Sequence, residues 1–429
     1  MPKVRIAHHA FAIDGRTVEL VAIGLALTIQ SGAIFPMLFS GGTGFLDAAA
    51  EARLRMLSLP IYLVAITLVL GSSAQFLIAV RRSVPLLVFY LLPLLSVMWS
   101  ISPALSLRRA VALLLSLLFA YAIAIRTTPT QLLRIFTIMI GILMGLSLLL
   151  MGAAPHVAFM PDEGSLRGVF THKNSLGWIS ALGVVVSGLA LYIRVEGFRR
   201  IGIVALLLSL ACLVLSQSVT SLFSVFIAAT FIGFYELLKS RNGLSRFMFG
   251  LISIELGILL MIGLSSYLPL LLEALGKDPT LTGRVPLWGL VDDRIAMRPL
   301  LGHGYQAFWT EANPGAWEIW GAIQWRAPHA HNGYRDLLLS VGVVGFAVMA
   351  AILVPTIRDG VRLHCQANDM NWLFPNVIVA QILVINLTES NLLGQTDIQW
   401  TLVTVSLIWI MTRTREAAVL QRRAVLSAT

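Results

Sequence analysis

The chain has 429 residues, of which 57% are hydrophobic and only 12% charged, with a mean hydropathy of +0.84. That composition excludes an ordinary soluble domain and describes a polytopic membrane protein. A net charge of +10 would suggest nucleic acid in a soluble chain, but in a membrane protein it reflects basic loops that set orientation and meet anionic lipid headgroups, so no nucleic-acid partner is expected. Two cysteines, Cys212 and Cys365, far apart in the chain, offer no disulfide framework and no thiolate metal site.

In chain order, the first seventeen residues are basic and polar and lack the short apolar core and small-residue cleavage site of a removable signal peptide. A crossing needs about 20 apolar residues. By that measure spans are predicted at 18–38, 57–80, 84–100, 107–125, 132–152, 174–193, 201–217, 219–238, 247–268, 331–356, 371–388 and 396–412. Twelve spans put both termini on one side of the membrane. The segments then assigned to that side carry nineteen Lys and Arg, whereas the short loops opposite carry six: Arg53, Arg55, Arg108, Arg109, Arg167 and Lys173. This asymmetry assigns both termini to the cytoplasm and the long 269–330 loop to the outside. The fold expected is a single all-α integral membrane domain, residues 1–429, with one large external loop inserted between the ninth and tenth spans.

That loop concentrates the polar chemistry. His303, His329 and His331, Arg284, Arg294, Arg298 and Arg326, and five of the ten tryptophans fall between Pro269 and Gly345. Within it, residues 285–297 form an amphipathic helix: Leu287, Trp288, Val291 and Ile295 share one side, with Asp292, Asp293 and Arg294 opposite. Adjacent carboxylates beside Arg294 are better explained as a solvated helix face than as metal ligands, and neither a metal nor a cofactor is expected. Glu255 is the one ionisable residue placed well inside a span, and the two halves of the chain do not mirror each other. Both observations weigh against a two-fold transporter with a midplane site.

Four external patches can be brought together at one membrane face: SLRGVFTHKNSLGW at 165–178, TLTGRVPLW at 280–288, APHAHNGY at 327–334 and NLTESNLLGQTD at 386–397. With MWSISPALSLRRA at 98–110, their order and separation resemble the O-antigen ligase and polysaccharide polymerase superfamily of bacterial inner membranes. The likeness is strongest to exopolysaccharide polymerases of the succinoglycan (ExoQ) type, through GVFTHKNSLG, GKDPTLTGRVPLW, RPLLGHGYQAFW, PHAHNGYRDLLLSVGVVG and NLTESNLL. The resemblance implies a lipid-linked glycosyltransferase architecture and, as donor, an oligosaccharide on undecaprenyl diphosphate. It further implies a glycan acceptor, a periplasmic active site, and a flippase and chain-length regulator as partners.

By the same resemblance His331 is the general base. The residues agree with it, because a histidine in the first turn of a helix meets the positive end of the dipole, which favours the neutral imidazole that accepts a proton. Gly342 and Gly345 would then let the helix pack closely on a neighbour and fix the ring. The residues alone leave open a histidine that only caps the helix, with His329 and then His172 as alternative bases. Arg284 matches the family's diphosphate-holding arginine, whose planar fork binds phosphate oxygens bidentately. Arg167 and Lys173 are candidates for further positive charge at the diphosphate, or for contact with headgroups. His329, Asn332, Asn174, Trp309, Trp325 and Glu389 are candidate sugar contacts, the tryptophans serving either as stacking faces or as interfacial anchors. One departure stands out: where the family carries a basic residue after Ser-x-Ser, this chain reads Ser216-Gln217-Ser218-Val219. The reaction implied is polymerisation of lipid-linked repeats. Transfer of the glycan to lipid A-core by an O-antigen ligase, or transport of the same lipid, are the alternatives.

Overall fold

The computed structural model describes residues 14–161, 164–240, 242–253, 284–366 and 370–428. The four residues before Arg284 in TLTGR, most of the predicted ninth span and Glu255 lie outside the described residues. Among the described residues the chain is helical, with a single isolated β-bridge between Phe159 and Leu166.

Among the described residues, six helices are long and apolar enough to cross a membrane: Ala48–Leu70, Pro103–Arg126, Pro129–Ala153, Lys173–Tyr192, Val219–Lys239 and Gly333–Gln366. A seventh crossing arises if the pair Ser73–Arg82 and Val84–Trp99, bent by 86° at the break, is one span. The predicted 57–80 span is therefore divided. Its first half ends the Ala48–Leu70 helix, and its second half belongs to the bent pair. Shorter apolar helices occupy Gly15–Gln30, Arg199–Leu215 and Leu373–Ile385. The molecule is a multi-pass membrane protein, and its outward faces are correspondingly apolar: Leu149, Leu207 and Phe226 are exposed on their helices, as lipid contact requires.

Local sequence explains where these helices start and how they meet. Thr128 and Gln131 form a reciprocal capping box ahead of Pro129, satisfying two otherwise orphaned backbone donors. Thr137, Ser147 and Ser180 return their hydroxyls to the carbonyl four residues earlier, so they enter the core without an unpaired donor. Gly141 faces Ala205, and Gly183 faces Ser209 and Ile140. These small residues bring the 129–153, 173–192 and 199–215 helices into close contact where dispersion, not a hydrophobic gradient, drives association.

A second, smaller core covers the start of the Gly333–Gln366 helix. Leu287 and Val291 of helix Arg284–Met297, Ala316, Ile319 and Trp320 of helix Pro314–Ile323, and Phe308, Ala327, Ala330 and Leu339 are buried together. Beneath this cap the long helix is broken. Gly342 has φ +66° and ψ −167°, and the 299–304 segment enters the gap. Val343 and Val344 donate to the carbonyls of Pro299 and Leu300, while those of Leu339 and Ser340 accept from His303 and Gly304. Gly342 was expected to serve helix packing. Instead it provides a left-handed turn, with the Leu300 backbone filling the space a side chain would need.

Candidate active site at the start of the broken helix

Asn332 caps the helix that begins at Gly333. Its Oδ1 accepts from the backbone of Tyr334 and Arg335 at 3.1 and 3.0 Å, and its Nδ2 donates to the Leu387 carbonyl at 3.0 Å. The Gly333 N–H donates to the carbonyls of both Asn386 and Glu389, and the Asn386 side chain occupies the space where a Cβ would stand. The NLTES segment is thereby stitched to PHAHNG, residue against residue. Asn332 spends its amide on this stitching and on the cap.

The capped turn also holds a residue that sequence reasoning missed. Asp336 accepts from Trp309 Nε1 at 2.8 Å, from the Ala330 N–H at 3.0 Å and from Ser390 Oγ at 2.5 Å. It joins the 305–309 segment, the His-containing loop and the NLTES segment at one carboxylate. The available signal was an acid in the first turn of a helix. Helix Arg284–Met297 is braced on the same turn. Arg335 pairs with both oxygens of Asp292 at 2.8 and 2.9 Å and lies over the Trp288 ring, whose Nε1 donates to the Ala330 carbonyl. Asp292 thus forms an ion pair on the solvated face of that helix, its side chain still 51% exposed.

His331 stands just before the cap, outside the first helical turn, with φ +50°. Its ring lies 4.1 Å from that of His329 and 5.8 Å from that of Trp325. Its Nδ1 is buried without a hydrogen-bond partner, 3.8 Å from Glu389 Oε2. The side chain remains 20% exposed, so the exposure is carried by other atoms of the ring. Glu389 Oε1 in turn meets Arg284 at 3.1 Å, and Arg284 also donates to the Thr388 carbonyl at 2.7 Å. Arg284, Glu389, His331 and His329 form one continuous contact chain drawn from three separate segments.

The electrostatics assign two of these groups. Burial pushes the Glu389 carboxyl up, but contact with His331 and the charge of Arg284 outweigh it and hold the group below the usual glutamate range. Glu389 is an anion at neutral pH. Burial, followed by the nearby His331 charge, pulls His329 down to about 4. His329 is therefore neutral, and its Nδ1 accepts from the His331 N–H at 3.1 Å, which leaves its proton on Nε2.

The remaining predicted site residues fall elsewhere. Arg167 is 3% exposed and donates to the carbonyls of Val157, Thr43 and Gly42 at 2.8–3.0 Å. Its guanidinium ties down the loop that carries Gly42 and Thr43 and is withdrawn from solvent. His172 caps the Lys173–Tyr192 helix, accepting from the Asn174 N–H at 3.1 Å, so Asn174 and Lys173 sit in that first turn. Gly177 of the same helix packs against Ser216, Ser218 and Ser221, beside the exposed Val219. Trp309 is engaged by Asp336, Trp325 is partly exposed beside His331, and Trp317 lies under Arg326.

The chain is similar in sequence to known proteins. The O-antigen ligase family model matches residues 204–350, a range that contains Arg284, His329 and His331. The chain is 29% identical over 307 residues to the exopolysaccharide production protein ExoQ of Rhizobium meliloti, covering 69% of this chain and 68% of the relative.

Proposed function

We propose, from the chain's membership of the O-antigen ligase and polysaccharide polymerase superfamily, that it polymerises an exopolysaccharide. It joins oligosaccharide repeats carried on undecaprenyl diphosphate at the periplasmic face of the inner membrane. The protein then has about twelve spans with both termini cytoplasmic and the 269–330 loop periplasmic. A flippase supplies the lipid-linked repeat and a chain-length regulator limits the product.

The observation that carries the reading is the Arg284–Glu389–His331 chain. A hydroxyl of the acceptor glycan gives its proton to His331 as its oxygen attacks the anomeric carbon of the donor. The bond from that carbon to the diphosphate oxygen breaks, and the electron pair leaves with the diphosphate. Arg284 stabilises the charge that develops there, so a fixed cation supplies what a divalent metal supplies elsewhere. The ionised Glu389 balances the imidazolium formed on His331 and holds its ring. The attack comes opposite the leaving group, so the configuration inverts.

The rival enzymatic reading, an O-antigen ligase, uses the same chemistry with lipid A-core as acceptor. The name of the ExoQ relative favours the polymerase. A transporter or flippase for the same lipid has no need of a base. Cells whose own copy is replaced by His331→Ala separate the three. Accumulation of single lipid-linked repeats with loss of polymer and intact lipopolysaccharide supports the polymerase. Long polymer retained on the carrier with truncated lipopolysaccharide supports the ligase. Unchanged products overturn the catalytic assignment.

A further inference from the structure

A chamber of about 230 Å³ lies against His329. His329 is shared between the two sites: its ring centre lies 4.1 Å from that of His331, and it also forms part of the chamber wall. Neither Arg284 nor Glu389 lines this space. In order of contact the residues run Arg284, Glu389, His331, His329, chamber. The chamber is smaller than the roughly 300–1,000 Å³ of pockets that enclose drug-sized ligands and is of the size for one sugar ring. Its wall is of mixed character, with the aromatic faces of Phe308 and Trp309 beside the polar groups of Arg109, Gln306 and His329.

Arg109 is the cation of the chamber. It rises from the second turn of helix Pro103–Arg126 and donates one N–H to the Gln306 carbonyl. Among the described residues no carboxylate lies within ion-pair distance of it. Asp336 also lines the chamber, but its oxygens are occupied by Trp309, Ala330 and Ser390. A guanidinium with donors to spare in a partly open pocket is matched by an anion.

We infer that the chamber is the acceptor subsite and receives one acidic sugar of the acceptor glycan, its carboxylate facing Arg109. Its assignment to the acceptor rests on the transferase reading. In an inverting displacement the nucleophile and the leaving group lie on opposite sides of the reacting carbon. A diphosphate held at Arg284 therefore places the acceptor across His331, which is where His329 and the chamber lie. Arg109 selects the acidic sugar, and because His329 stands between the chamber and His331, the attacking hydroxyl belongs to the neighbouring sugar of the acceptor glycan.

The test is saturation-transfer NMR on the full chain purified in detergent, with methyl glucuronide and methyl glucoside as probes. The glucuronide is expected to give at least a threefold stronger signal than the glucoside. Arg109→Gln should abolish that signal, Arg109→Lys should retain it, and Leu392→Trp, which fills the chamber from another wall, should abolish it independently. Arg284→Ala should leave it unchanged, and inorganic pyrophosphate should not displace it. The inference is overturned if a folded Arg109→Gln protein keeps the signal or if the two probes bind equally. It is also overturned if pyrophosphate displaces the glucuronide, which would make the chamber the diphosphate site. Because binding alone is read, a chain that holds the glucuronide yet transfers no glycan would overturn the polymerase reading and not the acidic-sugar site.

Discussion

Nδ1 of His331 faces Glu389 Oε2 at 3.8 Å and is buried with no hydrogen-bond partner of its own. The other oxygen of Glu389 is held by Arg284. One carboxylate therefore stands between the guanidinium of Arg284 and the imidazole of His331. In the proposed reaction the charge created on the ring would meet an anion already in place, a preorganised partner.

Glu389→Gln should keep the shape of this link and remove its charge. The expected result is a fall in kcat of about 10- to 100-fold, within the range that general acid–base groups command. Donor KM should not rise, because Arg284 loses a competitor for the phosphates. Steady-state kinetics in proteoliposomes checks this, and a higher donor KM with unchanged kcat would refute it. The ionised carboxylate also contributes to stability above its unfolded value of about 4.3, and that contribution is lost as the pH falls through its lower folded value.

His329 makes a separate prediction in acid. Its folded pKa of about 4 lies below the ordinary histidine value of 6.5, so between these values the unfolded chain binds more protons than the native one. Stability should consequently fall as the pH drops from about 6.5 to about 4, by on the order of 3 kcal/mol from this group. Thermal unfolding across that window should show a flatter profile for His329→Gln than for the native chain. Parallel profiles would mean that His329 is not buried neutral.

Arg284 and Arg167 should fail in different ways. Arg284 engages Glu389 and Thr388 at the partly exposed cluster, so Arg284→Ala should abolish transfer at near-normal Tm. Arg167 is spent on three backbone carbonyls in the interior. Arg167→Ala leaves those acceptors unpaired and should cost about 3–5 kcal/mol of stability. Paired measurements of Tm and product by both variants decide this, and a stable, inactive Arg167→Ala protein would return that arginine to the substrate.

Gly342→Ala should destabilise the fold by more than about 2 kcal/mol. The backbone there is left-handed, and Leu300 occupies the position of the added methyl group. The measurement is the yield of folded protein and its Tm in detergent. A native Tm would show that the 299–304 segment can withdraw from the helix break without loss.

Much of this protein is legible from its residues, because apolar run length and helical spacing are local properties. Composition alone establishes a multi-pass membrane protein. The alternation of Leu287 and Val291 with Asp292 and Asp293 marks the helix seen at Arg284–Met297, and the His-Asn-Gly sequence marks the start of the long helix. The motifs nominated His331, Arg284 and Glu389, although not that the carboxylate bridges the other two. Only the tertiary structure decided where polar groups separated in sequence find their partners. It withdrew Arg167 into the carbonyls of Gly42, Thr43 and Val157, made Asp336 a junction of three segments, and broke the helix at Gly342 around the Leu300 backbone. A hydrogen bond between distant residues leaves no periodic trace in the chain. It is decided when apolar burial brings the backbones together and each buried donor and acceptor must be satisfied.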